Sequence, residues 1–197
     1  MSVSAADVKK LREITGAGIM DCKQALAETN GEIEKAIENL RKKGIAKAEK
    51  KATRETKDGI IDCYIHPGSR LGVMVEVSCE TDFVAKTDDF RKFVRDIAMQ
   101  VAASNPLVVK REDLAPEVID REMNIYKSQV INQKKPEHVA EKIAQGKMEK
   151  FYQEVCLMEQ SFIKDPNKTI SELTKELIGK LGENIVIRRF ARFQLGE

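Results

Sequence analysis

The chain has 197 residues, 42% hydrophobic and 34% charged, and its 34 Lys and Arg against 32 Asp and Glu leave a formal charge of only +2. That length suffices for one well-packed domain with or without a small appendage, and the near-neutral balance excludes recruitment of partners by net charge alone. The start MSVSAAD lacks the basic and apolar regions of a signal peptide and no apolar run approaches the roughly 18 residues of a membrane span, so a cytoplasmic protein without membrane contact is expected.

Ser4 with Asp7 forms a capping arrangement, after which Val8, Leu11 and Ile14 or Thr15 recur at helical spacing until Gly16-Ala17-Gly18 interrupts. Ile19, Cys22 and Leu26 mark a second helix and Asn30-Gly31 a turn. Ile33, Ala36, Ile37 and Leu40 mark a third helix, expected to close at Gly44. Three short helices in so few residues predict a very small bundle. From Arg41 to Asp58 the sequence holds eight basic and three acidic residues with almost nothing large and apolar, which reads as a linker. The composition shift near 52–57 is the best domain boundary in the chain.

Beyond it the period changes to alternation. Ile60 to Ile65 reads as a strand, His66 to Arg70 as a turn, and Leu71, Val73, Val75 and Val77 as the inward face of the returning strand. A helix follows through Phe90, Val94, Ile97 and Val101, stopped by Asn105-Pro106. Ile119, Met123, Tyr126 and Val130 mark the next helix. Pro136 opens another with Val139 and Ile143, and Met148, Phe151, Tyr152 and Val155 mark a third beyond Gly146. Ile170, Leu173, Leu177 and Leu181 give a last amphipathic helix before a strong third strand from Ile185 to Phe193. Few strands with segregated helices predict an α+β fold: the helical bundle, then a small antiparallel three-stranded sheet with packed helices.

The chemistry-bearing motifs are thin. Neither a phosphate loop nor GxGxxG occurs, so no nucleotide cofactor is expected. The cysteines, Cys22, Cys63, Cys79 and Cys156, are scattered without a CxxC pair and read as reduced, buried thiols. Cys63, His66 and Cys79 could offer three zinc ligands, but alternation along a strand separates them, and no metal is expected. Carboxylate pairs such as Asp88-Asp89 or Glu32 with Glu34 read as solvated helix faces rather than acid and base, so no enzyme is expected. The basic stretch from Arg41 to Arg54, with Arg188, Arg189 and Arg192, could signal RNA binding, yet the few aromatic residues do not interleave with it, and no specific nucleic acid is expected.

One stretch resists a bland reading. In VSCETDFVAK, residues 77–86, Thr81 or Asp82 can cap the following helix while Phe83 and Val84 tuck beneath the sheet. Alternatively, Phe83 stands free at the strand's end for a partner.

Four stretches in order, LREITGAGIMDCKQAL from Leu11, EVSCETDFV from Glu76, AQGKMEKF from Ala144 and GENI from Gly182, resemble the translation elongation factor Ts family across essentially the whole chain. The resemblance implies a guanine-nucleotide exchange factor that binds elongation factor Tu and speeds GDP release by disturbing its Mg²⁺ and phosphate grip. It implies a ubiquitin-associated-like N-terminal domain over 1–51, a linker over 52–58, and a core and dimerisation domain over 59–197. It carries partner contacts onto Arg12, Ile19, Met20 and Lys23, the intrusive element onto Thr81, Asp82, Phe83 and Val84, and a further contact onto Leu181 and Gly182. Ile19 stands where many members carry Met, and Ser78 where Asn is common. A single copy of the core subdomain implies a homodimer, with the helices from Val118 to Val155 as candidates for the pairing.

Overall fold

A computed structural model describes residues 3–131 and 137–197, and the chain divides into two compact units. One holds the N-terminal segment through Ile60 with Val77–Lys92 and Glu172–Val186; the other holds Ile61–Glu76, Phe93–Ser171 and Ile187–Glu197. Helices and a small antiparallel sheet make up the described residues, as the α+β reading expects.

The first unit begins with α1 (Ala5–Thr15), α2 (Ile19–Glu28) and α3 (Ile33–Glu49). Their starts and stops are local chemistry. Ser4 Oγ accepts the Asp7 N–H at 3.1 Å and donates to the Asp7 carboxylate at 2.7 Å. Gly16, at φ +65°, ends α1 in the left-handed region where a side chain would be strained, and its N–H reaches the Arg12 carbonyl at 2.8 Å. Val8, Leu11, Cys22, Ala25, Leu26, Ala36 and Leu40 form the buried core of the three helices. Contrary to the sequence reading, α3 does not stop at Gly44 but continues to Glu49, burying Ala48. A glycine costs a helix about 1 kcal/mol relative to alanine. Here it permits a close crossing, since a Cβ built on Gly179 would stand 3.0 Å from the Gly44 Cα.

Strands β1 (Asp58–Ile65) and β2 (Leu71–Cys79) form a hairpin and, with β5 (Ile185–Gln194), a sheet of order β1–β2–β5. The His66 N–H donates to the Leu71 carbonyl at 2.9 Å, closing the expected turn. Val73, Val75 and Val77 are buried, whereas Ile61, Cys63 and Ile65 are exposed by period-2 alternation, so Cys63, unlike the other three cysteines, is not the buried thiol expected from the sequence.

In the second unit, the part of α5 (Asp88–Ser104) from Phe93 buries Phe93, Val94, Ile97, Ala98, Val101 and Ala102. Helices α6 (Pro116–Ile131) and α7 (Glu137–Val155) pack on one another. The two helices expected on either side of Gly146 are one: the buried Ala144 and Met148 flank the glycine and hold α7 continuous. Pro136, expected to open it, lies outside the described residues. Arg111 donates to Glu149 at 3.1 and 2.6 Å and to Glu159, and its guanidinium lies 4.2 Å from the Tyr152 ring centre. A short hairpin, β3 (Ser161–Phe162) with β4 (Asp165–Thr169), was not legible in the sequence. It is anchored by buried Gln100, whose amide donates to Gln160 Oε1 and the Ser161 carbonyl, both at 3.1 Å, and accepts the Ile163 N–H at 2.9 Å. The final helix, α8 (Ile170–Leu181), leads into β5 as expected.

Candidate functional site

Past the buried thiol of Cys79 the chain turns through Glu80 and Thr81 into the single-turn helix α4 (Asp82–Ala85). Thr81 occupies the cap position in an extended conformation, but its side chain makes no capping bond. The hydroxyl donates instead to Glu183 Oε1 at 2.6 Å, and the Thr81 N–H donates to Glu183 Oε2 at 3.0 Å. The cap in this stretch is Thr87, which sequence reasoning missed: its hydroxyl accepts the Phe90 N–H at 3.3 Å and donates to the Val84 carbonyl at 2.8 Å.

The two apolar residues of the turn part company. Val84 is buried beside Ala85, and Phe83 is 79% exposed. The tucked-in account therefore holds for Val84 and fails for Phe83, because one turn of helix sends consecutive side chains about 100° apart. Asp82 is exposed and pairs with Lys86 at 2.6 Å, and that bond holds its carboxyl below the ordinary carboxylate range. An exposed pair of this kind contributes little to stability.

Beneath the turn lies a platform made from distant sequence. Gly182 ends α8 at φ +80°, its N–H donating to the Ile178 carbonyl at 2.9 Å, and its own carbonyl accepts from Lys51 Nζ. The Asn184 N–H donates to Glu80 Oε1 at 2.6 Å. The buried Asn184 carboxamide donates to the carbonyls of Arg54 at 2.8 Å and Ala52 at 3.3 Å. Arg54 also pairs with Glu80 at 3.5 Å. Ser78 and Thr56 share a hydroxyl–hydroxyl bond of 2.9 Å, which ties β2 to the segment before β1. The Cys79 thiol is pushed up to about 11, first by burial and then by the negative charge of Glu183.

The N-terminal helices belong to the same compact unit. Arg12 and Lys23 are exposed, and Met20 is 72% exposed at the start of α2 beside exposed Ile19. Ile14, one of two alternatives for the α1 stripe, is exposed as well, while Thr15 turns its hydroxyl to the Leu11 carbonyl at 2.7 Å. The α1–α2 corner thus bares three apolar side chains around a glycine link. Ion pairs seat the bundle on α8: Arg41 with Glu172 at 3.2 Å and Glu176 at 3.0 Å, and Lys175 with Glu49 at 3.2 Å. Lys180 pairs with Asp89 at 2.7 Å, and the Lys180 stem fills the space over Gly16, where a Cβ would come within 2.6 Å of it. All the contact residues that the family resemblance implies, from Arg12 to Gly182, lie in this one unit. Val84 is buried among them and Leu181 half-buried, whereas Phe83, Ile19 and Met20 present bare apolar surface.

A family model described as Elongation factor TS matches residues 1–197. Elongation factor Ts of Caldanaerobacter subterraneus subsp. tengcongensis is 57% identical over 195 residues, 99% of this chain and 98% of its own length. Elongation factor Ts of Moorella thermoacetica is 58% identical over 99% of this chain and 96% of its own length. That of Geobacter sulfurreducens is 54% identical over 100% of this chain and 91% of its own length.

Proposed function

We propose that this chain, which belongs to the elongation factor Ts family and is therefore a translation elongation factor, releases GDP from elongation factor Tu by inserting Phe83 beside its Mg²⁺ and phosphate site. The observation that carries this reading is a large aromatic ring left 79% exposed on a turn where Thr81 is bonded to Glu183 and Val84 is buried. A ring so exposed contributes almost nothing to its own fold, so its stabilising contacts are available to a partner.

An exchange factor makes and breaks no covalent bond. It binds the nucleotide-free partner better than the GDP-bound one, and by linkage weakens GDP by the same factor. A thousandfold effect takes about 4 kcal/mol of differential contact. Desolvating one Phe supplies about 2 to 3 kcal/mol, leaving the rest to Asp82, Leu181, Gly182 and the corner bearing Arg12, Ile19, Met20 and Lys23. Mg²⁺ demands near-ideal octahedral geometry, so a stiff wedge need displace its ligands only slightly. In this scheme Thr81 and Val84 fix the wedge and Phe83 is its edge.

Residues 1–51 act as the docking domain, 52–58 connect, and 59–197 form the core, working in the cytoplasm as a homodimer. The surface that supports pairing is the sheet rather than the helices from Val118 to Val155. Ile61, Ile65, Met74 and Phe193 stand exposed on β1, β2 and β5, whereas the buried Val130, Ala144 and Met148 belong to the packing of α6 and α7. A second copy covering that face would remove a broad apolar patch from water.

The test is direct. Elongation factor Tu loaded with a fluorescent GDP is mixed with the chain, and release is timed by stopped flow. The expected trace speeds up with added chain by at least about a hundredfold and then saturates; release at the spontaneous rate at every concentration would overturn the reading.

A further inference from the structure

Little of what steadies Phe83 comes from α4 itself. That helix is a single turn of four residues, too short for any cooperative stability of its own. Thr81, placed to cap it, contributes no capping bond. Buried Val84 and the Thr87 hydroxyl on its carbonyl hold the far end of the turn, and its foot is held by a side chain from 102 residues further on: Glu183, whose two carboxylate oxygens take the Thr81 hydroxyl at 2.6 Å and the Thr81 N–H at 3.0 Å. Two bonds from one planar group to one residue fix orientation as well as place.

The lacing is reciprocal. Glu183 accepts the backbone N–H of Thr81, and Glu80, the residue before Thr81, accepts the backbone N–H of Asn184, the residue after Glu183, at 2.6 Å. Each segment thus lends a carboxylate to the other's backbone. Asn184 in turn is buried and spends its carboxamide on the carbonyls of Ala52 and Arg54. Glu183 follows Gly182, whose left-handed conformation sets the direction in which the carboxylate leaves α8.

Resting on the exchange reading above, we propose that Glu183 is a positioning residue: it holds the foot of the turn so that Phe83 is presented in one orientation, and it acts on the partner only through that ring. A wedge must arrive within about half an ångström of its productive place, and such precision comes from supporting bonds rather than from the wedge itself. The role depends on the bonding pattern of Glu183 and not on its charge. A Gln in its place keeps both bonds, its carbonyl accepting the N–H and its amide donating to the hydroxyl oxygen, whereas an Ala keeps neither.

The experiment measures the maximal rate of fluorescent GDP release from elongation factor Tu, and the half-saturating concentration, for the full-length chain carrying Glu183→Ala or Glu183→Gln, each with Phe83 present or replaced by Ala. Expected with Phe83 present is a loss of about fivefold or more in maximal rate for Glu183→Ala, a half-saturating concentration within about twofold of the parent, and recovery to within about twofold for Glu183→Gln. With Phe83→Ala already in place, Glu183→Ala should cost less than about twofold further. Equal losses in both backgrounds, or a Glu183→Gln chain as slow as Glu183→Ala, would overturn the positioning role while leaving the exchange reading intact. A Phe83→Ala chain that releases GDP at the parental rate overturns the wedge itself, and the positioning role with it. Should circular dichroism show Glu183→Ala unfolded, Thr81→Val, which removes only the hydroxyl, stands in: slowing confined to the Phe83 background supports the role, and an unchanged rate in both backgrounds overturns it.

Discussion

Both compact units leave large apolar side chains in water, and they do so in different ways. In the unit with the N-terminal helices, Ile14, Ile19, Met20 and Phe83 each stand at a helix end or in a single turn, next to backbone that is pinned by glycine conformations, caps or carboxylates. In the other, Ile61, Ile65, Met74 and Phe193 stand on strands and alternate with residues that face inward or lie partly covered. Isolated prongs deliver a few side chains into a partner's recesses, where orientation matters more than area. A strand-borne face offers area and little directionality, which suits a like surface. The same symptom of exposed apolar residues therefore points to two kinds of partner.

The largest effect should come from breaking the face. Met74 is exposed between buried Val73 and Val75, so Met74→Asp costs the isolated chain little. In a twofold pairing the substitution appears twice, each time burying a charge without a partner, and self-association should weaken by at least about a hundredfold. Light scattering across a dilution series reads this as a fall to monomer mass. A Met74→Asp chain that keeps the parent's mass at every concentration removes the sheet as the pairing surface.

Breaking a prong should be milder overall and confined to function. Phe83→Ala is expected to slow exchange by about tenfold or more with melting nearly unchanged, because the ring lends its own fold almost no buried area. A melting temperature lowered by many degrees would return Phe83 to a structural role and dissolve the contrast between the two regions.

The sequence announces these regions unevenly. Ser4, Gly16 and the Asn30-Gly31 turn were readable because a cap or left-handed turn is decided within four residues. The sheet face was readable in outline from alternation alone. The end of α3 was not, since Gly44 looks like a terminus until Gly179 arrives to pack on it from 135 residues away in the chain. The β3–β4 hairpin escaped because β3 has two residues and β4, DPNKT, is polar, with its anchor supplied by Gln100 from another helix. For residues 81–84 the local sequence leaves both an inward and an outward Phe83 open, and the structure turns the ring outward. Glu183, 102 residues further on, takes the Thr81 hydroxyl that the local sequence offers as a cap.

The smallest effect uses one thiol from each region. Cys63 lies exposed on the strand-borne face and Cys79 is fully buried at the foot of the prong, with its thiol pushed up to about 11 from an ordinary 9.0. The folded chain keeps that proton at pH values where the unfolded chain has lost it. Stability from this source is therefore fully present below pH 9.0 and drains away as the pH climbs toward about 11. Each unit of difference is worth about 1.4 kcal/mol, so melting between pH 8.5 and 10.5 should fall by several degrees more in the parent than in Cys79→Ala. Lysines and tyrosines titrate in the same window but are common to both chains and cancel in the comparison. Cys63→Ala, the same truncation at an exposed position on the sheet, is the control for the truncation itself. If the two alanine variants flatten the pH dependence equally, the foot of the prong is no more enclosed than the open sheet, and the rigidity that distinguishes it from the face is lost as an explanation.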